Sequence, residues 1–222
     1  YYQKNPISTL KTCFIGTLNM LKLAKKYNAK ILFTSTSEIY GEPLEHPQTE
    51  EYRGNVNTFG PRSCYDEGKR VAESLIYAFK NSTKNSANNK IEVRIARIFN
   101  TYGPNMLIND GRVVYNFIEQ CLTNSPITIY GDGEQTRSFC FVSDTVDGLI
   151  KLMNSEHNTP INIGNPHEIT IKYLADTIKN LTDSNSEVIF KDSPIDDPTR
   201  RCPNINKAKT LLGWEPKISI IE

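Results

Sequence analysis

The chain has 222 residues, with 26 Lys and Arg against 25 Asp and Glu, a formal net charge of +1, and five cysteines. A balance so near neutral excludes attraction of nucleic acid or an anionic membrane by an overall field, so any anion must be held locally. Cys13, Cys64, Cys121, Cys140 and Cys202 are scattered, odd in number and without a Cys-x-x-Cys pair; this excludes a disulfide framework and predicts reduced thiols.

No apolar run reaches the ~18 residues of a membrane helix. The opening Tyr1-Tyr2-Gln3-Lys4-Asn5-Pro6 carries neither an initiator Met nor a signal-peptide pattern, which predicts a fragment whose true N-terminus lies upstream. Leu10, Phe14, Leu18, Leu21, Leu23 and Ala24 recur at helical spacing, and Lys22, Lys25 and Lys26 gather near the end, so residues 10–27 predict an amphipathic helix. Residues 30–35 are apolar and β-rich and end in hydroxyl side chains, as a buried parallel strand does. A loop rich in Pro, Gly and Asn over 41–61 leads to a second helix over 63–80 and a strand over 91–98. Helix, strand, helix, strand is the rhythm of an α/β doubly wound parallel sheet. The polar stretch 81–90 predicts a solvated loop insertion, and its Asn81-Ser82-Thr83 would accept a glycan only in a secretory compartment. Beyond Pro104, strands over 127–130 and 160–163 and helices over 113–122, 143–153 and 171–181 predict a smaller α+β lobe. Residues 1–104 and 105–222 are therefore read as two domains, with some later segments returning to the sheet.

Two groups of residues carry chemistry. Tyr65 and Lys69 are four apart on the second helix and share a face. An ammonium beside a phenol favours the phenolate and lowers a pKa that starts near ~10, giving a base; alone, the pair is as readily a packed Tyr and a surface charge. Thr34-Ser35-Thr36-Ser37-Glu38-Ile39-Tyr40-Gly41 puts hydroxyls and one carboxylate after a buried strand, where open α/β sheets hold ligands, although such residues also cap turns. His46, His157 and His167 are far apart in sequence and lack carboxylate or Cys companions at ligand spacing, so they are read as solvated loop histidines and no metal is expected. Trp214 is read as a packing anchor.

Taken together, in this order and separation, these groups resemble the catalytic Thr/Ser and Tyr-x-x-x-Lys set of the extended short-chain dehydrogenase/reductase family. The resemblance is closer still to the UDP-glucuronate decarboxylases within it, and runs nearly end to end. It is carried by Asn5-Pro6 through Asn19, residues 34–41, Gly60-Pro61-Arg62 through Glu73, Ala96-Arg97-Ile98-Phe99-Asn100-Thr101-Tyr102-Gly103-Pro104, Asn109-Asp110-Gly111-Arg112-Val113-Val114 and Leu212-Gly213-Trp214-Glu215-Pro216. Thr-Ser-Glu at the strand end is its most telling part, because the related 4,6-dehydratases usually show Thr-Asp-Glu and the 4-epimerases lack the carboxylate.

The resemblance implies a Rossmann-like NAD-binding domain, of which residues 1–104 are the C-terminal part, and a sugar-nucleotide-binding lobe in 105–222. It implies oxidation of UDP-glucuronate at C4, loss of CO2 and return of the hydride to give UDP-xylose. Tyr65, Lys69, Thr36, Ser37, Glu38 and Arg201 would be catalytic, with Arg200 a neighbour easily confused with Arg201. Thr12, Thr34, Tyr65, Lys69, Thr101 and Arg112 would contact NAD. Lys11, Asn19, Glu38, Asn100, Val113, Tyr130, Arg137 and Arg201 would contact the substrate, and Leu107 and Phe79 replace more polar residues of relatives. A homodimer through a four-helix interface, two helices from each subunit, is also implied.

An enzyme of this type should open with a Gly-rich turn at the cofactor pyrophosphate, and the chain has no G-x-x-G-x-x-G. The expectation is that ~80 to 100 residues precede Tyr1, at ~30 residues per βαβ unit, and that the sheet lacks its first strands. The chain alone should then bind NAD poorly and be inactive. Competing readings are a 4-epimerase or 4,6-dehydratase on another UDP- or dTDP-sugar, a bifunctional relative that releases a 4-keto pentose, and a catalytically silent sugar-nucleotide sensor. The thiols favour the cytoplasm, with a Golgi membrane location the alternative.

Overall fold

The computed structural model describes residues 2–82, 91–106 and 111–222. The expected loop insertion beyond Ser82, the glycan acceptor's Thr83, Leu107 and the Asn109-Asp110 of one motif lie outside the described residues.

The first helix starts earlier than its apolar stripe predicts. Asn5 precedes Pro6 at the first helical position, where proline's missing N–H costs nothing. α1 (Pro6–Lys11), a π-helical turn (Thr12–Gly16) and α2 (Thr17–Tyr27) follow one another without a break. Asn28, left-handed at φ 51°, ends the run. β1 (Ile31–Thr36) then passes into a 3-10 turn, Ser37–Tyr40. α3 (Ser63–Ser82) and β2 (Val93–Ile98) complete the first crossover. After them come β3 (Thr101–Tyr102), α4 (Val113–Leu122), β4 (Ile127–Tyr130), β5 (Thr136–Ser138), β6 (Cys140–Phe141), α5 (Val142–Asn154), β7 (Pro160–Ile163), β8 (Glu168–Thr170), α6 (Ile171–Leu181), β9 (Val188–Lys191), β10 (Arg200–Arg201) and α7 (Asn206–Leu212).

β1, β2 and β7 form one parallel sheet in that order, with Ile31 opposite Val93 and Ile98 opposite Ile163. Side chains alternate along β2, and this alternation is what sandwiches the sheet. Val93 and Ile95 pack with Leu21, Ala24 and Ile76 of α2 and α3, while Ala96 and Ile98 face Leu152, Ala208 and Trp214. Trp214 is almost fully buried and its indole donates to the Asp144 carbonyl at 2.9 Å, so α5 and the segment after α7 are pinned together. A second core holds Phe117, Ile127, Ile129, Phe139, Leu174 and Ile178. Around it stand the β4–β9 pair and the β10-β5-β8 sheet.

Candidate active site

The site grows from the carboxyl end of β1. Thr36 caps the following turn, its hydroxyl accepting the Glu38 N–H at 3.2 Å. That turn swings the Glu38 carboxylate between two guanidiniums: Arg62, which precedes α3, and Arg201 of β10 each donate to one of its oxygens. Both arginines and the acid are largely buried. Burial alone would raise the Glu38 carboxyl, but Arg201 and Arg62 outweigh it and hold the group at about 2.

α3 brings Tyr65 and Lys69 to the same place. The Tyr65 side chain comes beside Thr36, and Lys69 Nζ donates to the Thr34 carbonyl at 2.9 Å. The expected effect of Lys69 on Tyr65 is not what this geometry gives. Nζ lies 5.9 Å from the Tyr65 ring centre, and burial pushes the phenol above its ordinary value against the opposing influence of the Thr36 hydroxyl, with Glu38 adding to the rise. Burial lowers the Lys69 ammonium in turn. Tyr2 stacks on Tyr65 with ring centres 5.2 Å apart.

Thr34, Thr36, Glu38, Tyr65, Lys69 and Arg201 thus stand together at the carboxyl end of β1, with Ser37 buried in the turn between them. Arg137 joins it from β5, since its Nη2 meets Asp197 at 2.9 Å and Asp197 lies 3.6 Å from Arg62. Asn100 and Thr101 serve the strand ends: the Asn100 carbonyl accepts the Cys140 N–H at 2.9 Å, and the Thr101 hydroxyl meets that of Thr145 at 3.1 Å. Lys11, Thr12 and Asn19 are exposed on the α1–α2 run, Arg112 and Val113 open α4, and Tyr130 is half exposed at the end of β4.

Sequence reasoning missed Arg62, Asp66 and Asp197 as members of the site. Arg62 and Asp66 are four apart at the start of α3, the same spacing that drew attention to Tyr65 and Lys69. It also missed the polar layer beneath. Glu73 of α3 holds Arg97 of β2 by two bonds, of 2.7 and 3.1 Å, and accepts the Ser35 hydroxyl. Arg97 also donates to the Tyr40 hydroxyl at 3.0 Å, which donates to Asn162 of β7 at 2.8 Å. An arginine inside an apolar strand was the available signal, because a buried charge requires a partner. This layer ties β1, α3, β2 and β7 together.

The reading of His46 as a solvated loop histidine without companions is corrected by the fold. His46 Nε2 lies 2.9 Å from Glu168 of β8, and the ligand atoms of His46, Glu168 and Cys202 all fall within 4.8 Å of one another. Gln48, whose amide donates to the Glu45 carbonyl and lies 3.3 Å from His46 Nδ1, directs the imidazole proton to Nε2 and so toward Glu168.

Parallel strands with helices on both faces, and a Thr-Tyr-Lys group at a strand's carboxyl end, define a Rossmann-type member of the extended short-chain dehydrogenases/reductases. The chain belongs to the GDP-mannose 4,6 dehydratase family, whose model matches residues 2–222. It is 56% identical over 220 residues to UDP-glucuronic acid decarboxylase 2 of Arabidopsis thaliana, covering 99% of this chain and 48% of the relative. It is also 56% identical over 221 residues to UDP-glucuronic acid decarboxylase 1 of Xenopus tropicalis, covering 100% and 51%. The chain thus spans about half the length of these curated relatives. Among solved structures, UDP-glucose 4-epimerase from Thermotoga maritima superimposes with a TM-score of 0.89 at 28% identity, over 99% of this chain and 69% of that one. UDP-glucuronic acid 4-epimerase from Bacillus cereus, in complex with UDP-glucuronic acid and NAD, gives 0.82 at 27% identity, over 94% and 64%. Among the described residues, no helix is long and apolar enough to cross a membrane.

Proposed function

We propose that the protein carrying this chain decarboxylates UDP-glucuronate to UDP-xylose with NAD as a recycled cofactor. The observation that carries this reading is Glu38, clasped by Arg62 and Arg201 beside Thr36 and Tyr65, in a chain 56% identical to relatives named for that reaction. Residues 1–104 form the catalytic part of the cofactor domain and most of 105–222 the sugar-nucleotide lobe, β7 returning to the sheet.

The cofactor's nicotinamide-ribose end suits the carboxyl end of β1. Lys69 has three donors, Thr34 accepts one, and a ribose diol would take others. NAD supplies a hydride acceptor that becomes the donor in the last step. Tyr65 takes the C4 hydroxyl proton as its phenolate while the C4–H bond breaks, with Thr36 sharing the hydrogen bond, a step that the burial raising the phenol opposes. The resulting β-keto acid loses CO2 by cleavage of its C5–C6 bond, and the C4 ketone accepts the electron pair as an enolate. Ser37, Glu38 and Arg201 orient the sugar during this step and its reprotonation at C5 by a proton drawn from solvent. Tyr65 then returns its proton to the C4 oxygen as hydride returns to carbon. Thr12, Thr101 and Arg112 are proposed cofactor contacts, and Lys11, Asn19, Asn100, Val113, Tyr130 and Arg137 substrate contacts.

Incubating the protein with UDP-glucuronate and NAD, and identifying the nucleotide sugar by mass spectrometry and NMR, tests this reading. UDP-xylose without net NADH is the expected result. A 4-keto pentose with stoichiometric NADH, or a C4 epimer with no CO2, would replace it by one of the competing reactions.

The helical run also supports a homodimer. Leu10, Phe14, Ile15, Met20 and Leu23, with Val71 and Tyr77 of α3, are exposed, and an apolar face of this size suits a four-helix interface between copies. Light scattering should give a dimer, and Phe14→Glu a monomer. Five free, buried cysteines support a reducing compartment, the cytoplasm, and cell fractionation tests that assignment.

A further inference from the structure

β10 is only two residues long, Arg200–Arg201, shorter than the ~3 residues at which strands usually begin, yet its Arg201 has to meet Glu38 from 163 positions away. Part of its support is β5, which pairs with β10 and whose Ser138 hydroxyl donates to the Arg201 carbonyl at 3.2 Å. The rest comes from Gln48, a fully buried amide in the segment between β1 and α3. Its backbone N–H donates to the Cys202 carbonyl and its side-chain Oε1 accepts the Cys202 N–H, each at 2.9 Å, so the residue after Arg201 is held at both its N–H and its carbonyl. Gln48 Nε2 donates to the Glu45 carbonyl at 2.9 Å, which fixes the sense of the amide, because the opposite one would set donor against donor at Cys202. The Gln48 carbonyl accepts the Asn204 N–H at 2.8 Å and Asn162 Nδ2 at 3.0 Å. Asn162 Oδ1 accepts the hydroxyl of Tyr40, the last residue of the turn that carries Glu38, at 2.8 Å. The acid and its second cation are thereby referred to one buried point.

We propose that Gln48 is a positioning residue: by holding Cys202 it sets the Arg201 guanidinium against Glu38, and it acts on the reaction only through that placement. The inference rests on the reaction proposed above. A buried amide costs stability unless its groups are bonded, and both ends of this one are bonded, one of them to the segment that delivers a cation to Glu38. Arg201 is itself buried, gives Nη1 to Glu38, and has Nη2 without a partner among the described residues. A small shift of its backbone therefore alters both the clamp and the donor left for a substrate. Displacing such a group by about 1 Å costs up to about 100-fold in rate. Gln48 has no exposed surface with which to touch a substrate, and no proton or charge passes through it.

The experiment is a pair of double-mutant cycles on the whole protein. Gln48→Met keeps the side chain's length and removes its acceptor and its donor. With UDP-glucuronate and NAD under excess enzyme, so that slow variants can be read, it should lower the rate of UDP-xylose formation about tenfold or more. With Arg201→Ala already present it should lower the remaining rate by less than about twofold, because the residue it acts through is gone. In urea, the midpoint shifts of Gln48→Met and Glu38→Gln taken separately should sum to more than the shift of the double variant. Gln48→Asn, which draws the acceptor back by one methylene, carries both comparisons if Gln48→Met does not fold. Wild type yielding no product from UDP-glucuronate overturns the proposed reaction and this inference with it. Wild type forming UDP-xylose, with the same fold-loss of rate whether or not Arg201 is present or with additive shifts in urea, overturns the inference alone, because Gln48 would then serve the fold without placing Arg201.

Discussion

Replacing Glu38 by Gln removes the anion shared by Arg62 and Arg201 while keeping the side chain's shape. A carboxyl held at about 2 instead of 4.5 corresponds to about 3 kcal/mol of stability at neutral pH, at roughly 1.4 kcal/mol per pH unit. The cost of stranding a buried cation is independent of that reasoning and comes to about 3–5 kcal/mol. The two agree, so Glu38→Gln should lower the unfolding free energy by about 3 kcal/mol at pH 7.5. The folded pKa lies below the unfolded one, so this stabilisation is complete well above pH 4.5 and is lost as pH falls toward 2. By pH 3.5 an unfolded carboxyl of pKa 4.5 is mostly protonated, and wild type should have given up about 1 kcal/mol of its advantage. Urea denaturation of both proteins at pH 7.5, 4.5 and 3.5, followed by far-UV circular dichroism, reads the difference directly. Equal stability at pH 7.5, or a difference that does not narrow on acidification, would refute the clamp as an energetic unit.

Other perturbations reach neighbouring parts of the structure. Tyr65→Phe should lower UDP-xylose formation at least about 100-fold while leaving UDP-glucuronate binding within a few-fold, measured by product assay and calorimetry; loss of both together would make Tyr65 a binding residue. Glu73→Gln should cost about 3 kcal/mol in denaturant, since Arg97 loses its ionised partner in the interior, and a loss under 1 kcal/mol, roughly the surface-pair value, would count against that layer. Gly148→Ala puts a methyl 2.9 Å from the Trp214 ring and 3.1 Å from Ile163, so despite better helix propensity it should destabilise by about 1–2 kcal/mol; a stabilised variant would show that Trp214 can shift at no cost.

Local patterns were the most legible. The spacing of Tyr65 and Lys69, the hydroxyl-rich end of β1 and the stretches over 113–122, 127–130, 160–163 and 171–181 needed only periodicity, and the structure has them at those bounds. Short elements such as β5, β8 and β10 escaped because strands of two or three residues leave no periodic trace and exist only through their partners. The helix start was misjudged by four residues because the apolar stripe begins later than the Asn5-Pro6 boundary. What could not be read was which charges meet. Glu38 with Arg201, Tyr40 with Asn162 and His46 with Glu168 are each more than 120 positions apart, and nothing local in the sequence pairs them.

That distance along the chain also sets an order of events when the protein is made. A ribosome releases β1, α3 and β2 early, and these can already align Tyr65, Lys69 and Thr34. The second cation on Glu38 emerges about a hundred residues later, with β10. A nascent chain interrupted in between would carry β1, α3 and β2 while Glu38 had only the first of its two cations, Arg62.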